Sequence, residues 1–362
     1  MEGRSERFVE LDIIRFFAAL SVMVYHYKSK YIQSLGSGHP ELAHSIYAVT
    51  KFGYLGVDLF FIISGFVIFA SAMGRTSFQF AVSRITRIYP TLWVCVTFTA
   101  LVLVATPGPA SGIDLKQWLA NLTLMNKTLG IDYIDGVYWT LQIEIEFYLC
   151  VFLLLAADLL KHYRIWLPLW LSATALFLFF KQPFFMGWVI SPEYSSYFIA
   201  GITLYLARRD GYRLFHAILL GGSLAISSVY AYDLLSEFAH DVTHGDRLMA
   251  VGLVWACYIV FLLLPLVKVP MDRSLAALSL GGITYPLYLL HNRAGKAVYD
   301  WGSGSVKPLL LVCMIAAAML LASWAIHNYL ERRIADRLKF YLFASSHKLR
   351  TVRNSKVAAG KE

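Results

Sequence analysis

Residues 54–73 read YLGVDLFFIISGFVIFASAM. This stretch is as long as the ~20 residues an α-helix needs to cross a bilayer, and its one formal charge is Asp58. Its apolar residues run continuously and do not alternate, which argues against a barrel strand. Nine further runs of this kind flank it, at about 8–27, 88–105, 138–157, 164–180, 194–207, 215–231, 247–267, 276–293 and 306–327, the 194–207 run being the shortest. The whole chain of 362 residues is 58% hydrophobic and 15% charged. An average soluble domain carries ~25% charged residues, so there is too little charge here to cover a soluble surface. The mean hydropathy of +0.58 points the same way. Disordered, collagen-like and ordinary soluble classes are excluded, and an all-α polytopic integral membrane protein with about ten transmembrane helices is expected. No internal repeat or Pro/Ser-rich linker divides it. One membrane domain over 1–330 and a basic tail over 331–362 are expected. Asp12 and Arg15 near the start of the first run argue against a cleavable signal peptide.

The formal net charge of +9 is unusual beside that composition. With the N-terminus placed in the cytoplasm, the segments on that side hold 21 Lys and Arg against 10 on the other, and 9 of the 21 lie in the tail. The bias predicts both termini inside. Against its 9 basic residues the tail has 3 acidic ones, so it is expected to lie against anionic membrane lipid. Nothing resembles a nucleic-acid-binding module, and no nucleic-acid partner is expected. The four cysteines, Cys95, Cys150, Cys257 and Cys313, sit in apolar runs without CxxC spacing and read as packing thiols, with no metal site. Asn121 and Asn126 begin N-x-T sequons in an outer loop and would matter only in a eukaryotic secretory membrane.

A charge inside a span costs ~2.5–3.5 kcal/mol even on a lenient scale, so the few ionisable groups in the apolar runs carry most of the functional information. Arg15 and His26 are eleven positions apart, which on a helix is ~20° in azimuth and ~16 Å along the axis. Asp12, three before Arg15, can pair with it. A buried ion pair with an interfacial histidine is the plain reading of that stripe. Ser64 and Gly65 lie mid-span, where small residues permit close helix approach. Glu144 and Glu146 stand ~200° apart on one helix and cannot both face one cavity. Arg84 and Arg87 share a face on the cytoplasmic side, ahead of Pro90, which suits a first helical turn. They read either as a positive-inside anchor or as a clamp for phosphates, to which Arg donates in planar pairs. His291, near Tyr288, reads on its own as a residue of the outer interface.

Taken together, these segments resemble the membrane-bound acyltransferase-3 family. Arg15 and His26 fit its R-x10-H pattern, and Gly56 to Phe66 its GV-x-LFF-x-x-SGF pattern. Arg84 to Pro90 fit R-x-x-RI-x-P, Trp139 to Tyr148 fit W-S/T-L-x-x-E-x-x-FY, and Tyr285 to His291 fit Y-x-x-YL-x-H. Each motif is weak alone; five in order are specific. The resemblance implies transfer of an acyl group, commonly acetyl, from acyl-CoA to a carbohydrate hydroxyl (of an exopolysaccharide, an O-antigen or a lipid-linked oligosaccharide) in a bacterial inner membrane. It implies acyl-CoA as donor substrate and no bound cofactor. His26 is similar to the family's essential histidine and would be the catalytic base, or would carry the acyl group itself. Arg15 and Glu144 would complete the catalytic set, Arg15 along the donor path, held by Asp12 and too far from His26 for contact, and Glu144 orienting the histidine or the hydroxyl. Arg84, Arg87, Ser64, Asp12, Trp139, Tyr288 and His291 would bind donor or acceptor. Ser83 stands where many members have a second Arg, and Glu146 falls at a variable position. No hydrolase-like domain of the SGNH type follows the last span, so the stand-alone form is expected, like the exopolysaccharide and Nod-factor acetyltransferases. A polysaccharide or lipid-linked sugar exporter is the alternative that buried charges also allow.

Overall fold

The structure is a computed structural model that describes residues 8–36, 38–106, 113–180, 187, 191–266 and 271–344. Arg4, Arg7, Lys181, Lys268 and most of the basic tail counted in the charge balance lie outside the described residues. The described residues form helices joined by turns and short loops, with one isolated β-bridge between Ser303 and Val306. The chain is an all-α, multi-pass membrane protein.

Helix α1 (Val9–Gly36) runs unbroken past both Arg15 and His26. A short α2 (Pro40–Thr50) and a 3-10 turn (Lys51–Leu55) lead into α3 (Gly56–Ala72). The chain then reverses through Gly74, whose φ of 75° suits glycine. Helix α4 (Ser77–Ala105) opens with a capping box, in which the Thr76 hydroxyl accepts from the Gln79 N–H and the Gln79 side chain accepts from the Thr76 N–H. The box starts α4 eleven residues ahead of the predicted run at 88. Pro90 is therefore inside the helix and not in its first turn.

Next come α5 (Leu115–Thr123) and α6 (Trp139–Ala156), then α7 (Tyr163–Phe179), α8 (Pro192–Asp210), α9 (Leu214–Phe238) and α10 (His244–Leu263). The chain continues with α11 (Met271–Leu290), α12 (Arg293–Gly302) and α13 (Pro308–Ala325). Helix α13 passes through a π-helical segment (Ile326–Glu331) and stays helical to Ala344.

A helix stands at each of the ten predicted runs. Six helical stretches among the described residues are long and apolar enough to cross a membrane, so the count of ten is not reproduced on that criterion. Of the other four, α7 and α8 span 17 and 19 residues, the apolar part of α11 among the described residues is Leu280–Leu290, and α1 carries Asp12 and Arg15 within its apolar stretch.

Helix α3 is sandwiched between α1 and α8, and α1 packs in turn on α11. The α3–α8 contact is a glycine crossing. A Cβ on Gly65 would overlap the Phe198 carbonyl, and a Cβ on Gly201 would overlap the Ile62 carbonyl and the Phe66 nitrogen. Backbones can approach that closely only where side chains are absent, as expected of Gly65. Hydroxyls fasten the neighbouring helices. Thr174 pairs with Ser195 at 2.8 Å, and Ser227 bridges Ser196 and Tyr258 at 2.9 Å each. Asn121 and Asn126 are fully buried, and both amides donate to the Asp132 carbonyl. Neither sequon is accessible in the folded chain.

Overpacking costs about 1–3 kcal/mol, and a clash with backbone leaves no rotamer to relieve it. Gly65→Val and Gly201→Val should therefore lower the unfolding midpoint in detergent by several degrees or prevent accumulation. Gly221→Ala, where a Cβ meets nothing within 4 Å, should leave the midpoint unchanged or raise it.

Candidate active site

A cavity of about 750 Å³ opens between α1, α3, α4, α6 and α11. Along α3 its lining extends from Ser71 to Val57, which at 1.5 Å per residue is about 21 Å. Seven of the ten sequence-predicted residues line it: Asp12, Arg15, Ser64, Arg84, Arg87, Glu144 and Tyr288.

The mouth is cationic. Arg75, Arg84 and Arg87 line it, and Arg75 and Arg84 both donate to the Ser83 hydroxyl at 3.1 Å. The buried Nε of Arg84 has no partner among the described residues, so one guanidinium donor remains for an anion. Arg87 donates to Glu331 at 3.2 Å, and the other oxygen of Glu331 lies 2.8 Å from His327 Nδ1. Glu331 is buried, held there by the π-helical segment at the end of α13. π-bulges of this kind are frequent at functional sites.

Farther in, Asp12 stands 3.6 Å from Arg15. The Glu144 carboxylate accepts from Ser64 at 2.8 Å and from Tyr148 at 3.0 Å. The Gly281–Gly282 pair of α11 makes room for two of these polar groups. A Cβ on Gly281 would overlap the Asp12 carboxylate, and a Cβ on Gly282 would overlap the His327 ring. Counting lining residues only, four guanidiniums face two carboxylates, which favours an anionic ligand. Glu146 points away from the cavity, to Gln142 at 3.2 Å and Ser191 at 3.4 Å, as the helical angle requires.

The cavity ends near Tyr288, whose hydroxyl pairs with Thr140 at 2.9 Å. His291 lies next, 5.7 Å from the Tyr288 ring and 5.2 Å from the His26 ring between centroids. His26 and His291 do not line the cavity; they stand one ring beyond its inner end. His291 is fully buried within the protein. Its Nδ1–H donates to the Leu287 carbonyl at 3.1 Å, leaving the buried Nε2 as an acceptor with no partner among the described residues. Glu144 is engaged by Ser64 and Tyr148 within the cavity, whose lining does not include His26. Trp139 lies off the cavity, on a second pocket.

Three contributors, one of them a residue pair, escape the sequence reading. Arg75 precedes the turn into α4, and helical periodicity cannot carry its position across that turn. His327 and Glu331 form an i,i+4 pair at a span end, a readable signal that falls where the tail is expected to begin. The third, Asp135, accepts from the Asn292 amide and the Arg293 backbone N–H, both at 2.6 Å, and so pins the turn that carries His291. Burial pushes the Asp135 carboxyl up, while those two hydrogen bonds pull it back.

Nodulation protein 10 of Rhizobium leguminosarum bv. viciae is 31% identical over 163 residues, covering 40% of this chain and 43% of that protein. The match thus spans under half of the relative's length. No solved structure matches. Residues 8–328 match the family described as an acyltransferase domain, and with nearly the whole chain covered, the protein belongs to the acyltransferase-3 family.

Proposed function

We propose that the protein transfers an acyl group, acetyl in the simplest case, from cytoplasmic acyl-CoA to a carbohydrate hydroxyl presented from the opposite side of a bacterial inner membrane. Both chain termini would then be cytoplasmic. The observation that carries this reading is the deep cavity with its guanidinium mouth and a histidine pair at its inner end. Arg75, Arg84 and Arg87 would hold the CoA phosphates, with Arg87 exchanging Glu331 for a phosphate oxygen. The thioester arm would extend past Arg15, Ser64 and Glu144 and bring the carbonyl toward Tyr288.

His26, reached from the far side, takes the proton of the acceptor hydroxyl. The hydroxyl oxygen attacks the thioester carbonyl, the C–S bond breaks, and CoA leaves as a thiolate that regains a proton. His291 and Asp135 fix the position of His26 relative to the cavity end. Acyl-CoA is a substrate here, not a resident cofactor. An exporter needs a gradient or a coupled ATPase to work, whereas an acyltransferase releases CoA thiol in detergent with no gradient present.

General acid–base groups contribute about 10²–10⁴-fold. His26→Ala should therefore lower CoA-thiol release with a carbohydrate acceptor by that factor while the protein still accumulates. Retained transfer would remove His26 from the base role. A charge-assisted hydrogen bond is worth about 1.5–3 kcal/mol, so Arg87→Ala should raise the KM for acyl-CoA roughly tenfold to hundredfold. The acceptor KM should not move, and a change confined to it would contradict the clamp. Glu331→Gln removes the anion that competes for Arg87 and should lower the donor KM several-fold. A raised donor KM would instead make Glu331 a support for Arg87.

A further inference from the structure

A second, smaller pocket lies at the other end of α3. It is walled by Tyr54 and Asp58, by Trp139 at the start of α6, by Glu193 and Tyr194 of α8, and by Tyr230 of α9. At about 30 Å³ it admits one hydroxyl-bearing edge of a ligand and not a whole ring. Its walls are aromatic. The Trp139 and Tyr194 rings are 5.2 Å apart, and Tyr54 stacks on Phe238 at 4.5 Å.

Its polar groups are only partly used. Asp58 is 6% exposed and receives a hydrogen bond from Tyr197, yet a carboxylate can accept about four. Tyr54 is 7% exposed, and its buried hydroxyl has no partner among the described residues. A buried hydroxyl left unpaired costs free energy, so a polar ligand atom there would be rewarded. Its place relative to the first cavity is informative. Val57 lines both. Tyr54 lies 6.0 Å from the Tyr25 ring, and Tyr25 lies 5.0 Å from His26. Neighbouring rings thus link His26 to both, through His291 and Tyr288 to the first cavity and through Tyr25 and Tyr54 to the second.

We infer that this pocket is the acceptor subsite and that it reads a neutral sugar unit. The pocket's role rests on the carbohydrate acceptor proposed above. At this size the pocket takes one edge of a sugar, where Asp58 accepts from a hydroxyl while Tyr54 donates to one. Selectivity follows from charge. Among the described residues the lining holds two carboxylates, Asp58 and Glu193, and no cation, so a uronate carboxylate would be repelled. Lys28 is near, 3.7 Å above the Tyr25 ring, but does not line the pocket.

The test uses the full-length protein in detergent with acetyl-CoA. CoA-thiol release is measured with neutral gluco- and galacto-oligosaccharides and with the matching uronate oligomers. Wild type should use the neutral series at least tenfold better in kcat/KM. Tyr54→Phe keeps the ring stack and should raise the acceptor KM about fivefold to tenfold with the donor KM unchanged. Asp58→Asn and Glu193→Gln should narrow the gap between neutral and uronate series. Glu193→Gln keeps that arm readable if the buried Asp58→Asn fails to accumulate. Equal use of both series by wild type, or variants that shift only the donor KM or nothing, would overturn the subsite while leaving acyl transfer standing. Release of CoA with no carbohydrate at all would sink the acceptor reading itself, and the subsite with it.

Discussion

A charge in an apolar bundle must be faced by another charge or by water, and the polar interior of this protein is organised by that requirement. Arg15 is held by Asp12, Arg87 by Glu331, and Glu144 by Ser64 and Tyr148. Arg75 and Arg84 share the Ser83 hydroxyl. Two of these contacts join helices distant in sequence, α4 to the end of α13 and α3 to α6, and so tie those elements together around one polar interior. The pairing is incomplete at the mouth, where guanidiniums outnumber carboxylates. That surplus is what a phosphate-bearing ligand would use.

Helix α3 shows how packing and chemistry divide one short motif. Gly65 faces α8 and lets the two backbones touch, while Ser64, ~100° around the helix, faces the cavity and donates to Glu144. Two adjacent residues thus serve two neighbours. The same economy appears in α11, where Gly281 and Gly282 make space for Asp12 and His327. The three proline residues inside helices, Pro90, Pro168 and Pro286, do not end them. In a membrane bundle, neighbouring groups re-satisfy the freed carbonyls. Near Pro90, Tyr285 reaches across from α11 to the Ile88 carbonyl at 3.3 Å.

The histidine pair divides the molecule in the other direction. Cavity, Tyr288, His291 and His26 follow one another, and Tyr25 and Tyr54 continue to the second pocket. Donor and acceptor that arrive from opposite faces of a membrane need a meeting point reachable from both. In the proposed reaction, the His26 ring between the two pockets would be that point.

The all-α membrane class and a helix at each of the ten apolar runs were legible in the sequence, unlike the short α2, α5 and α12, because continuous apolar runs of ~20 residues have few other uses. So were the Asp12–Arg15 pair and the opposite facing of Glu144 and Glu146, since both depend only on the pitch of one helix. The start of α4 was not, because its signal is a local capping box in a polar stretch and not hydrophobicity. Contacts between helices were beyond the sequence. Nothing in the spacing brings Glu331 to Arg87, 244 positions away, or Asp135 to Asn292, 157 positions away. Nor does it set His26 against His291, or move Trp139 out of the large cavity and into the small one. Helical pitch fixes which residues share a face, but which faces meet is decided by the packing of the whole bundle.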